Sequence, residues 1–549
     1  MHGLLQDSPL TLRWLFERME RVFPERAVCS ARRSRVVRRR SYRKLAKRAR
    51  RLSSALDALG IEPGERVATF CFNHDDHLEQ MLGIMAGGRV YHALNPRLST
   101  AELRYIVGHA GDTIAFVDAD LLPAWRALGD LPSVRHVIVV RSPDDPTNES
   151  RTLPEYEAIL AAAPQLQNWR DLDENAAAAL CYTSGTTGNP KGVLYSHRGL
   201  LLVAMAWLAA DAAAVSQNDR FLPVVPFFHA QAWALPLTAL LAGSDMILAG
   251  ADVSPPSIAA LIRTEQVTLA SGVPTIWRTV LDALEAGEVN PNDLAPLDRI
   301  ICGGSAVPQH MLEAFDRLGC RLIQVWGMTE MSPLGTVSRV RREVAPSDAL
   351  AYRAMQGQPS PLVSLRIMDE KGNELPWNGE AAGEIQASGP WIADAYLDTS
   401  TPGMRTDAGG FVVDETGQRW LRTGDIATMD PMGNVRLVDR AKDLIKSGGE
   451  WISSVQLEQI IELHPAVAAC AVIAVPHPKW DERPLAMVEL KTGQQAEASE
   501  LLELVRRHLA SWQVPDEVVF VAELPRNSLG KIDKRALRHT YAGEAHSGT

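Results

Sequence analysis

The sequence predicts an α/β protein with a large N-terminal part built on parallel sheets and a small α+β module at its C-terminal end. Three observations predict this class. From about residue 65, apolar runs alternate with helical patterns, which is typical of a parallel sheet covered by helices. From Val363 the runs become shorter and glycine-rich turns separate them, which indicates a small β subdomain. After about residue 440 a compact set of helices and strands follows.

The individual elements follow from local patterns in chain order. A helix is expected over 10–23, and a hairpin strand at Val36 leads to a helix that Ser41 caps. Strands are expected at 66–71, 90–94, 113–118, 136–140, 176–181, 220–225, 245–248 and 267–271. Helices are expected at 77–86, 99–108, 200–210 and 309–318. The last module comprises the segments 455–463, 466–475, 485–490, 499–509 and 517–520.

Size, charge and cysteine content limit the possible classes. The chain has 549 residues, so two or more cores are expected, and its net charge of -10 gives no overall attraction to nucleic acid or an anionic membrane. Its six cysteines have no CxxC pair and no metal-ligand spacing, which favours free thiols in a reducing compartment. The N-terminus has no charged and apolar leader. We therefore expect a cytoplasmic protein with at most peripheral membrane contact.

A basic run between Arg32 and Arg51 contains twelve arginines and lysines. Such a run can bind nucleic acid or anionic lipid. However, it coincides with the expected hairpin strand and the helix after Ser41, whose apolar side includes Leu45 and Leu52. We interpret it as a solvated basic face, and no nucleic-acid partner is expected.

The segment 182–193, with the sequence YTSGTTGNPKGV, combines hydroxyls and glycines with Lys191. It follows an expected buried strand and precedes a helical pattern. Glycines let the backbone fold around an anion, hydroxyls donate to phosphate oxygens, and a lysine adds positive charge. The segment is therefore predicted to bind phosphates between a strand and a helix. It is not a Walker A loop, because no Gly-Lys-Ser/Thr closes it.

Further stretches carry chemically suited residues. In QVWGMTE, residues 324–330, an aromatic ring can pack on a planar base and Glu330 can hold a hard cation. In WLRTGD, residues 420–425, Asp425 after a glycine turn can accept two hydrogen bonds from a ribose. The stretch DRAKDLIKSGGEWI, residues 439–452, is rich in charge and glycine and lies at the expected domain boundary.

Together with PRNSLGK at 525–531, these stretches resemble the acyl-adenylate-forming superfamily in order and spacing, from about residue 10 to about 540. Two segments are similar to the bacterial medium- and long-chain fatty-acyl-CoA synthetases, PVVPFFHAQAW at 223–233 and GGEWISS at 448–454. The resemblance implies an N-terminal adenylation domain at 1–438 and a mobile α+β domain at 439–549, with a hinge at Asp439. It also allows a homodimer.

The resemblance implies a ligase that acts in two steps. The carboxylate of a medium- or long-chain fatty acid attacks the α-phosphorus of ATP, which gives an acyl-AMP and pyrophosphate. The thiol of coenzyme A then attacks the acyl carbon and AMP leaves. Mg²⁺ bound with ATP, lysine and backbone N–H groups neutralise the phosphate charge during the first step.

By the same resemblance, a set of residues is assigned to the nucleotide and its metal. Thr183 and Glu330 are expected to hold Mg²⁺, and Asp425 with Arg440 to bind the ribose. Trp326 is expected to stack on adenine, although family members often carry tyrosine at this position. The other nucleotide-binding positions are Ser184, Gly185, Thr186, Thr187, Gly188, Lys191, Gly304, Gln324, Val325, Gly327, Thr329 and Lys442.

A second set is assigned to catalysis and to the acyl and CoA groups. Lys531 resembles the lysine that bridges the carboxylate and the α-phosphate in the first step, and His229 is expected at the acyl carboxylate. Trp233 resembles an aromatic gate of the fatty-acid tunnel, with Ala230 as a neighbour. The remaining expected positions lie near the nucleotide or the CoA route, at Lys446 and Trp451.

Two other functions remain open at this point. A ligase for an aryl acid or a short sulfur-containing acid shares every nucleotide motif. A non-catalytic nucleotide-binding protein is a more remote alternative, since Glu330, Asp425 and Lys531 are all present.

Overall fold

The computed structural model describes residues 3–141, 153–166, 168–183, 189–400, 405–448, 450–526 and 532–541. The chain separates into two compact units, one formed by Met1–Ser364 with Ala387–Leu421 and the other by Leu365–Gln386 with Arg422–Thr549. Within the described ranges, no helix is both long enough and apolar enough to cross a membrane.

The helices and strands are numbered in chain order. The strands are β1 (Ala27–Arg32), β2 (Arg35–Ser41), β3 (Arg66–Phe70), β4 (Val90–Ala93), β5 (Asp112–Asp118), β6 (His136–Val140), β7 (Ala177–Thr183), β8 (Lys191–Ser196), β9 (Arg220–Pro223), β10 (Asp245–Leu248), β11 (Leu269–Gly272), β12 (Arg299–Gly303), β13 (Arg321–Trp326), β14 (Thr336–Val337), β15 (Gln358–Pro359), β16 (Ser364–Met368), β17 (Ala382–Ser388), β18 (Tyr396–Leu397), β19 (Arg405–Thr406), β20 (Phe411–Val413), β21 (Arg419–Met429), β22 (Val435–Arg440), β23 (Ile445–Ser447), β24 (Glu450–Ile452), β25 (Val467–His477), β26 (Asp481–Leu490) and β27 (Glu517–Val521). The helices are α1 (Arg13–Arg21), α2 (Tyr42–Ala58), α3 (Asp75–Ala86), α4 (Thr100–Ala110), α5 (Leu122–Arg126), α6 (Tyr156–Ala162), α7 (His197–Trp207), α8 (Ala230–Trp233), α9 (Leu235–Ala242), α10 (Pro255–Glu265), α11 (Pro274–Glu285), α12 (Gln309–Arg317), α13 (Ala349–Arg353), α14 (Ser454–Ile461), α15 (Ala498–His508) and α16 (Lys534–Tyr541).

Two sheets form the framework of the first unit. One has the order β15-β14-β13-β12-β11-β9-β10-β1-β2, and the other has the order β19-β18-β8-β7-β4-β3-β5-β6. The strands from β13 to β1 and from β7 to β6 pair in parallel. Antiparallel pairing adds β14, β15 and β2 to the first sheet and β8, β18 and β19 to the second. The predicted α/β class with layered parallel sheets is therefore confirmed.

The cores lie between these sheets and their helices. Trp277 and Phe315 pack with Leu222 and Ile300 of the first sheet, because each helix turns an apolar stripe inward. Phe70 and Trp125 belong to the core of the second sheet. All six cysteines are buried free thiols, as predicted.

The second unit contains a sheet of order β24-β23-β26-β25, with β27 parallel to β26. One core joins this sheet to Leu457 of α14 and Leu501 of α15. A separate core includes Leu537 of α16, on the alternate side chains of β25 and β26. In the same unit β22 pairs with the second half of β21, which sets Asp425 opposite Arg440. The predicted small α+β module is thus present.

One local prediction was wrong, at the glycine-rich segment. From Lys191, near the end of the segment, the chain forms β8, which pairs antiparallel with β7, before α7 begins. The segment therefore joins two strands of a hairpin rather than a strand and a helix. Ser196, whose hydroxyl accepts from the Gly199 N–H at 3.0 Å, caps α7 and fixes where the helix starts. β8 begins with Lys-Gly and ends with serine, so only a three-residue apolar run, Val193 to Tyr195, marks it in the sequence.

The prediction of a solvated basic face is wrong for about half of the run. β2 and α2 turn part of their arginines toward buried carboxylates of α3, whereas the exposed members are Arg33, Arg35, Arg39, Arg43, Lys44 and Lys47. Arg40 is 4% exposed, and its Nη1 donates to Asp76 at 2.5 Å. Arg48 donates to the Glu79 carboxylate at 2.6 Å. The carboxylates that neutralise these arginines lie on another helix, so the run alone could not reveal them.

Candidate active site

The ends of β7 and β8 carry the first two predicted site residues. Thr183 and Lys191 are register partners across this pair of strands. The Lys191 Nζ lies 4.8 Å from the centre of the Tyr396 ring and donates to the Ala408 carbonyl oxygen at 3.4 Å. The predicted phosphate-binding positions between them lie outside the described residues, at Ser184, Gly185, Thr186, Thr187 and Gly188.

Glu330 lies in a 3₁₀ turn, Thr329–Met331, which follows β13 and packs against β7. It is 5% exposed, and the Tyr396 hydroxyl donates to its Oε1 at 2.8 Å. The Tyr195 hydroxyl donates to the Thr329 carbonyl oxygen, also at 2.8 Å. Burial raises the pKa of both tyrosines, so both hydroxyls remain protonated donors at neutral pH. Two tyrosines thus hold the glutamate turn at the edge of β7.

Beside this turn, β13 ends in the predicted adenine-binding residues. The Gln324 carboxamide accepts from the Val307 N–H at 2.9 Å and donates to the Ala354 carbonyl oxygen at 3.2 Å. Val325 pairs with β14. Trp326 is 7% exposed, and its carbonyl oxygen accepts from the Gly335 N–H at 3.0 Å. The Gln324 carboxamide therefore hydrogen-bonds to the protein's own main chain. Stacking of adenine on Trp326 stays a prediction.

Two positions near this strand end require glycine, each for its own structural reason. A Cβ added to Gly327 would lie 1.7 Å from the Pro333 carbonyl oxygen, so the chain approaches too closely for any other residue. Gly304 follows β12 with a φ of +92°, which L side chains rarely adopt. Both positions expose main chain where the nucleotide is expected.

The predicted acyl-binding residues lie in one segment, which we call the acyl segment (residues 223–234). It begins at the end of β9, and the His229 N–H donates to the Pro226 carbonyl oxygen at 3.0 Å to form a turn. The half-buried His229 ring meets the Phe228 ring edge-on, with 4.7 Å between centroids. Ala230 is 4% and Trp233 is 9% exposed. The structure therefore brings His229, Ala230 and Trp233 together.

The last part of the acyl segment has a left-handed backbone. Five consecutive residues from Ala230 to Ala234 have φ between +43° and +63°, and none of them is glycine. Each such residue costs about 1–2 kcal/mol relative to a right-handed conformation. Within this turn the Gln231 Oε1 is buried and has no hydrogen-bond partner in the described part of the chain. Strained backbone and an unpaired buried oxygen are both characteristic of functional segments.

Cys181 of β7 contacts both the acyl segment and the surroundings of Glu330. Its thiol donates to the Phe228 carbonyl oxygen at 3.5 Å. Burial, together with the negative charge of Glu330, raises the pKa of Cys181 to about 11, so the thiol stays neutral. The acyl segment and the glutamate turn therefore both lie beside the end of β7 in the first unit.

In the second unit, the structure brings together Asp425 and Arg440. The Arg440 Nε lies 2.7 Å from Asp425 Oδ1, and Asp425 is 4% exposed. The Asp425 N–H donates to the Thr423 hydroxyl at 3.1 Å, and that hydroxyl donates to the Ile385 carbonyl oxygen at 2.7 Å. This network fixes the carboxylate that is expected to bind the ribose.

Asp439, the predicted hinge, bonds to the start of α14. Its Oδ2 accepts from the Ser454 N–H at 2.6 Å and from the Ser454 hydroxyl at 2.7 Å, and its Oδ1 accepts from the Arg440 N–H at 2.7 Å. Burial raises the pKa of this carboxyl. The side chain therefore joins β22 to α14.

Three further predicted residues of the second unit, Lys442, Lys446 and Trp451, are exposed. The Lys446 Nζ lies 5.5 Å from the centre of the Trp451 ring, and Trp451 is 45% exposed. Lys531 lies outside the described residues.

Comparison with known families matches this arrangement. The AMP-binding enzyme family matches residues 16–397, and the AMP-binding enzyme C-terminal domain matches residues 456–531. The chain belongs to the AMP-binding enzyme family.

Individual relatives of this AMP-binding enzyme are similar over nearly their whole length. This chain is 40% identical over 548 residues to a 3-methylmercaptopropionyl-CoA ligase of Ruegeria lacuscaerulensis, and the alignment covers 98% of this chain and 99% of the relative. It is 42% identical over 544 residues to a long-chain-fatty-acid--CoA ligase of Thermus thermophilus, with 98% and 96% covered. The chain is thus an AMP-forming acid–CoA ligase.

Solved structures share the fold. An anthranilate CoA ligase in complex with anthranoyl-AMP superimposes with a TM-score of 0.85 at 22% identity, covering 98% of this chain and 99% of the other.

Several residues that support the site of this AMP-binding enzyme had no signal in the sequence. Tyr396 reaches Glu330 across 66 residues, and Asn73 bonds to the acyl segment across 154. Lys534, whose Nζ lies 2.6 Å from the Glu458 carboxylate, stands in a basic stretch that looks solvated. No local motif indicates such contacts, because in each case the two residues lie on segments that meet only in the fold.

Proposed function

We propose that this acid–CoA ligase activates a medium- or long-chain fatty acid. A carboxylate oxygen of the acid attacks the α-phosphorus of ATP, so that the acyl-AMP forms and pyrophosphate leaves. The CoA thiol then gives up its proton and attacks the acyl carbon. The bond to AMP breaks with its electron pair on the phosphate oxygen, and acyl-CoA and AMP result.

The observation that carries the choice of acid is the acyl segment. The apolar side chains of Phe228, Ala230 and Trp233 are buried there, the Phe228 ring packs edge-on against His229, and the Cys181 thiol of β7 donates to the Phe228 carbonyl oxygen. Apolar walls suit an unbranched aliphatic chain, because each buried methylene adds ~0.8 kcal/mol of binding free energy. The long-chain-fatty-acid relative supports the same class of substrate.

We assign the pyrophosphate side of ATP to the first unit. Lys191, with the residues between it and Thr183, supplies donors and positive charge for the phosphates. Glu330 and Thr183 fit a hard divalent cation, because they offer carboxylate and hydroxyl oxygens and the Tyr396 hydroxyl orients the Glu330 carboxylate. Bound Mg²⁺ would neutralise phosphate charge that otherwise repels the attacking carboxylate.

The remaining roles fall on the second unit. Asp425 accepts hydrogen bonds from the ribose hydroxyls, and Arg440 orients the Asp425 carboxylate through their ion pair. Lys531 bridges the acid carboxylate and the α-phosphate during the first step. We further propose that residues 439–549 are a mobile domain that turns about Asp439, so that Lys531 serves the first step and the stretch with Lys442, Lys446 and Trp451 serves the second.

A second candidate substrate is a short sulfur-containing acid. The relative from Ruegeria lacuscaerulensis, named for 3-methylmercaptopropionyl-CoA, favours it. An aryl acid is the third candidate, since the nucleotide residues are common to all three. Our choice among the three acids therefore rests on the acyl segment.

A panel of acids tests the proposal. AMP release is followed with ATP, Mg²⁺ and CoA for saturated acids from acetate to palmitate, for 3-methylmercaptopropionate and for benzoate. We expect kcat/KM to rise by roughly fourfold for each added methylene until the tunnel is filled, because each methylene contributes ~0.8 kcal/mol. A maximum at 3-methylmercaptopropionate or benzoate would contradict the fatty-acid assignment.

A further inference from the structure

Two buried side chains hold the main chain of the acyl segment from outside it. The Asn73 carboxamide donates to the Val225 carbonyl oxygen at 2.9 Å and accepts from the Phe227 N–H at 2.9 Å. The Trp207 indole N–H donates to the Trp233 carbonyl oxygen at 2.9 Å. Asn73 is 6% exposed and Trp207 is 1% exposed. One contact therefore lies at the start of the segment and the other lies near its end.

Between these two contacts lies the left-handed turn from Ala230 to Ala234. A backbone of this kind persists only where the surrounding structure determines it, because L residues relax toward right-handed conformations. Within the turn, the Trp233 N–H donates to the His229 carbonyl oxygen, and the Ala234 N–H is shared between the Ala230 and Gln231 carbonyl oxygens, all at a long 3.2 Å. The external contacts are therefore well placed to maintain it.

We infer that Asn73 and Trp207 are positioning residues that maintain the left-handed turn and thereby set the selectivity for the acid. The inference rests on the proposed function, in which this turn carries the side chains that face the acid. Asn73 fixes the main chain just before His229, and Trp207 fixes the carbonyl group of Trp233 itself. Both act through the main chain of the acyl segment, without a role in the chemistry of the reacting atoms.

This role has a specific consequence for kinetics. If the turn relaxes, Trp233 changes its direction while Lys191, Glu330 and the nucleotide site stay in place. The KM for the acid and the preference among chain lengths should then change, whereas the KM for ATP should not. A purely structural role would instead affect stability and all kinetic constants together.

The main variant is Trp207→Phe, which removes the indole N–H but keeps a large apolar ring. Its matched control is Trp277→Phe, because the Trp277 Nε1 is equally buried and has no hydrogen-bond partner in the described ranges. We expect Trp207→Phe to raise the KM for the preferred acid by roughly five- to tenfold, the effect of one lost hydrogen bond, with an unchanged KM for ATP. We also expect it to flatten the dependence of kcat/KM on chain length, and Trp277→Phe to do neither.

The second variant is Asn73→Ala, and its control is Asn95→Ala. The Asn95 carboxamide is also buried, but among the hydrogen bonds of the described residues it accepts only a local one, from the Arg97 N–H at 3.0 Å. Amide hydrogen exchange of the free enzyme is measured for all four variants. We expect faster exchange at Trp233 and Ala234 in Asn73→Ala and Trp207→Phe alone.

The outcomes separate this inference from the proposed function. Equal effects of Trp207→Phe and Trp277→Phe on the acid KM and on exchange would overturn the inference, whatever acid the wild type prefers. A wild type that prefers an aryl or sulfur-containing acid would overturn the proposed substrate alone, because the exchange measurement and the split between the two KM values do not depend on which acid is used.

Discussion

Tyr396 illustrates what could be predicted at the scale of single residues and what could not. Glu330 and Asp425 were predicted from the family resemblance of their stretches together with a chemistry that suits a cation and a ribose, and the structure gives each a defined environment. Tyr396, which donates to Glu330, could not be predicted, because a tyrosine in an ordinary strand has no distinctive pattern. Its contact with Glu330 depends on the pairing of β18 with β8, which only the fold shows.

Tyr396→Phe should weaken the use of Mg²⁺ in the first step. The change removes the donor to Glu330 Oε1 and leaves the ring beneath Lys191 in place. We expect the Mg²⁺ concentration for half-maximal acid-dependent pyrophosphate exchange to rise by roughly three- to tenfold, the effect of one hydrogen bond to a charged group. An unchanged Mg²⁺ dependence would contradict the role of Tyr396 in holding Glu330.

His197 should make stability depend on pH. The ring is fully buried at the start of α7, and neither nitrogen has a hydrogen-bond partner in the described part of the chain. Burial lowers the pKa of His197 from 6.5 to about 4, so between these values the unfolded chain binds more protons than the folded one. Stability contributed by the neutral ring is therefore present above pH 6.5 and is lost as the pH falls toward 4.

The measurement compares urea unfolding of the wild type and His197→Leu at pH 8 and pH 5. We expect the wild type to lose about 2 kcal/mol more than the variant over this interval. Since all other titrating groups are shared, the difference isolates the histidine. Parallel losses in both proteins would contradict a neutral buried His197.

At the scale of elements, periodicity predicted most strands and helices, because each apolar stripe must face a core. It failed at β8, which is short and begins in the glycine-rich segment. It also gave no sign of the left-handed turn in the acyl segment, whose sequence of alanines, Gln231 and Trp233 is compatible with an ordinary helix. Both failures lie at the site, where close approaches and strain override local preference.

Asp439 provides the prediction for this scale. Asp439→Ala removes the acceptors at the start of α14 and should lower the free energy of unfolding by about 2 kcal/mol. Asp439→Pro removes the same groups and also restricts φ. If Asp439 is a hinge, the proline variant should retain pyrophosphate exchange like the alanine variant but form much less acyl-CoA. Equal loss of both half-reactions in the proline variant would argue against a hinge at this position.

At the scale of the whole molecule, the sequence predicted the order of parts because five separated motifs occur together in one chain. The two family matches agree with that order. The proposed boundary between residues 438 and 439 stays a prediction. In the structure, the second compact unit consists of residues Leu365–Gln386 together with Arg422–Thr549. These residues join because β16 and β17 belong to one sheet with β21, a pairing between distant stretches that no local pattern reveals.

The central claim is that this chain forms an acyl-AMP with the help of Lys531. The most direct measurement is exchange of labelled pyrophosphate into ATP without CoA, for the wild type, Lys531→Ala and the control Lys479→Ala, whose lysine is exposed in the same unit. We expect exchange that requires decanoate in the wild type and the control. Lys531→Ala, with an unchanged unfolding curve, should show none. Exchange that does not depend on an acid, or that survives in Lys531→Ala, would contradict the claim.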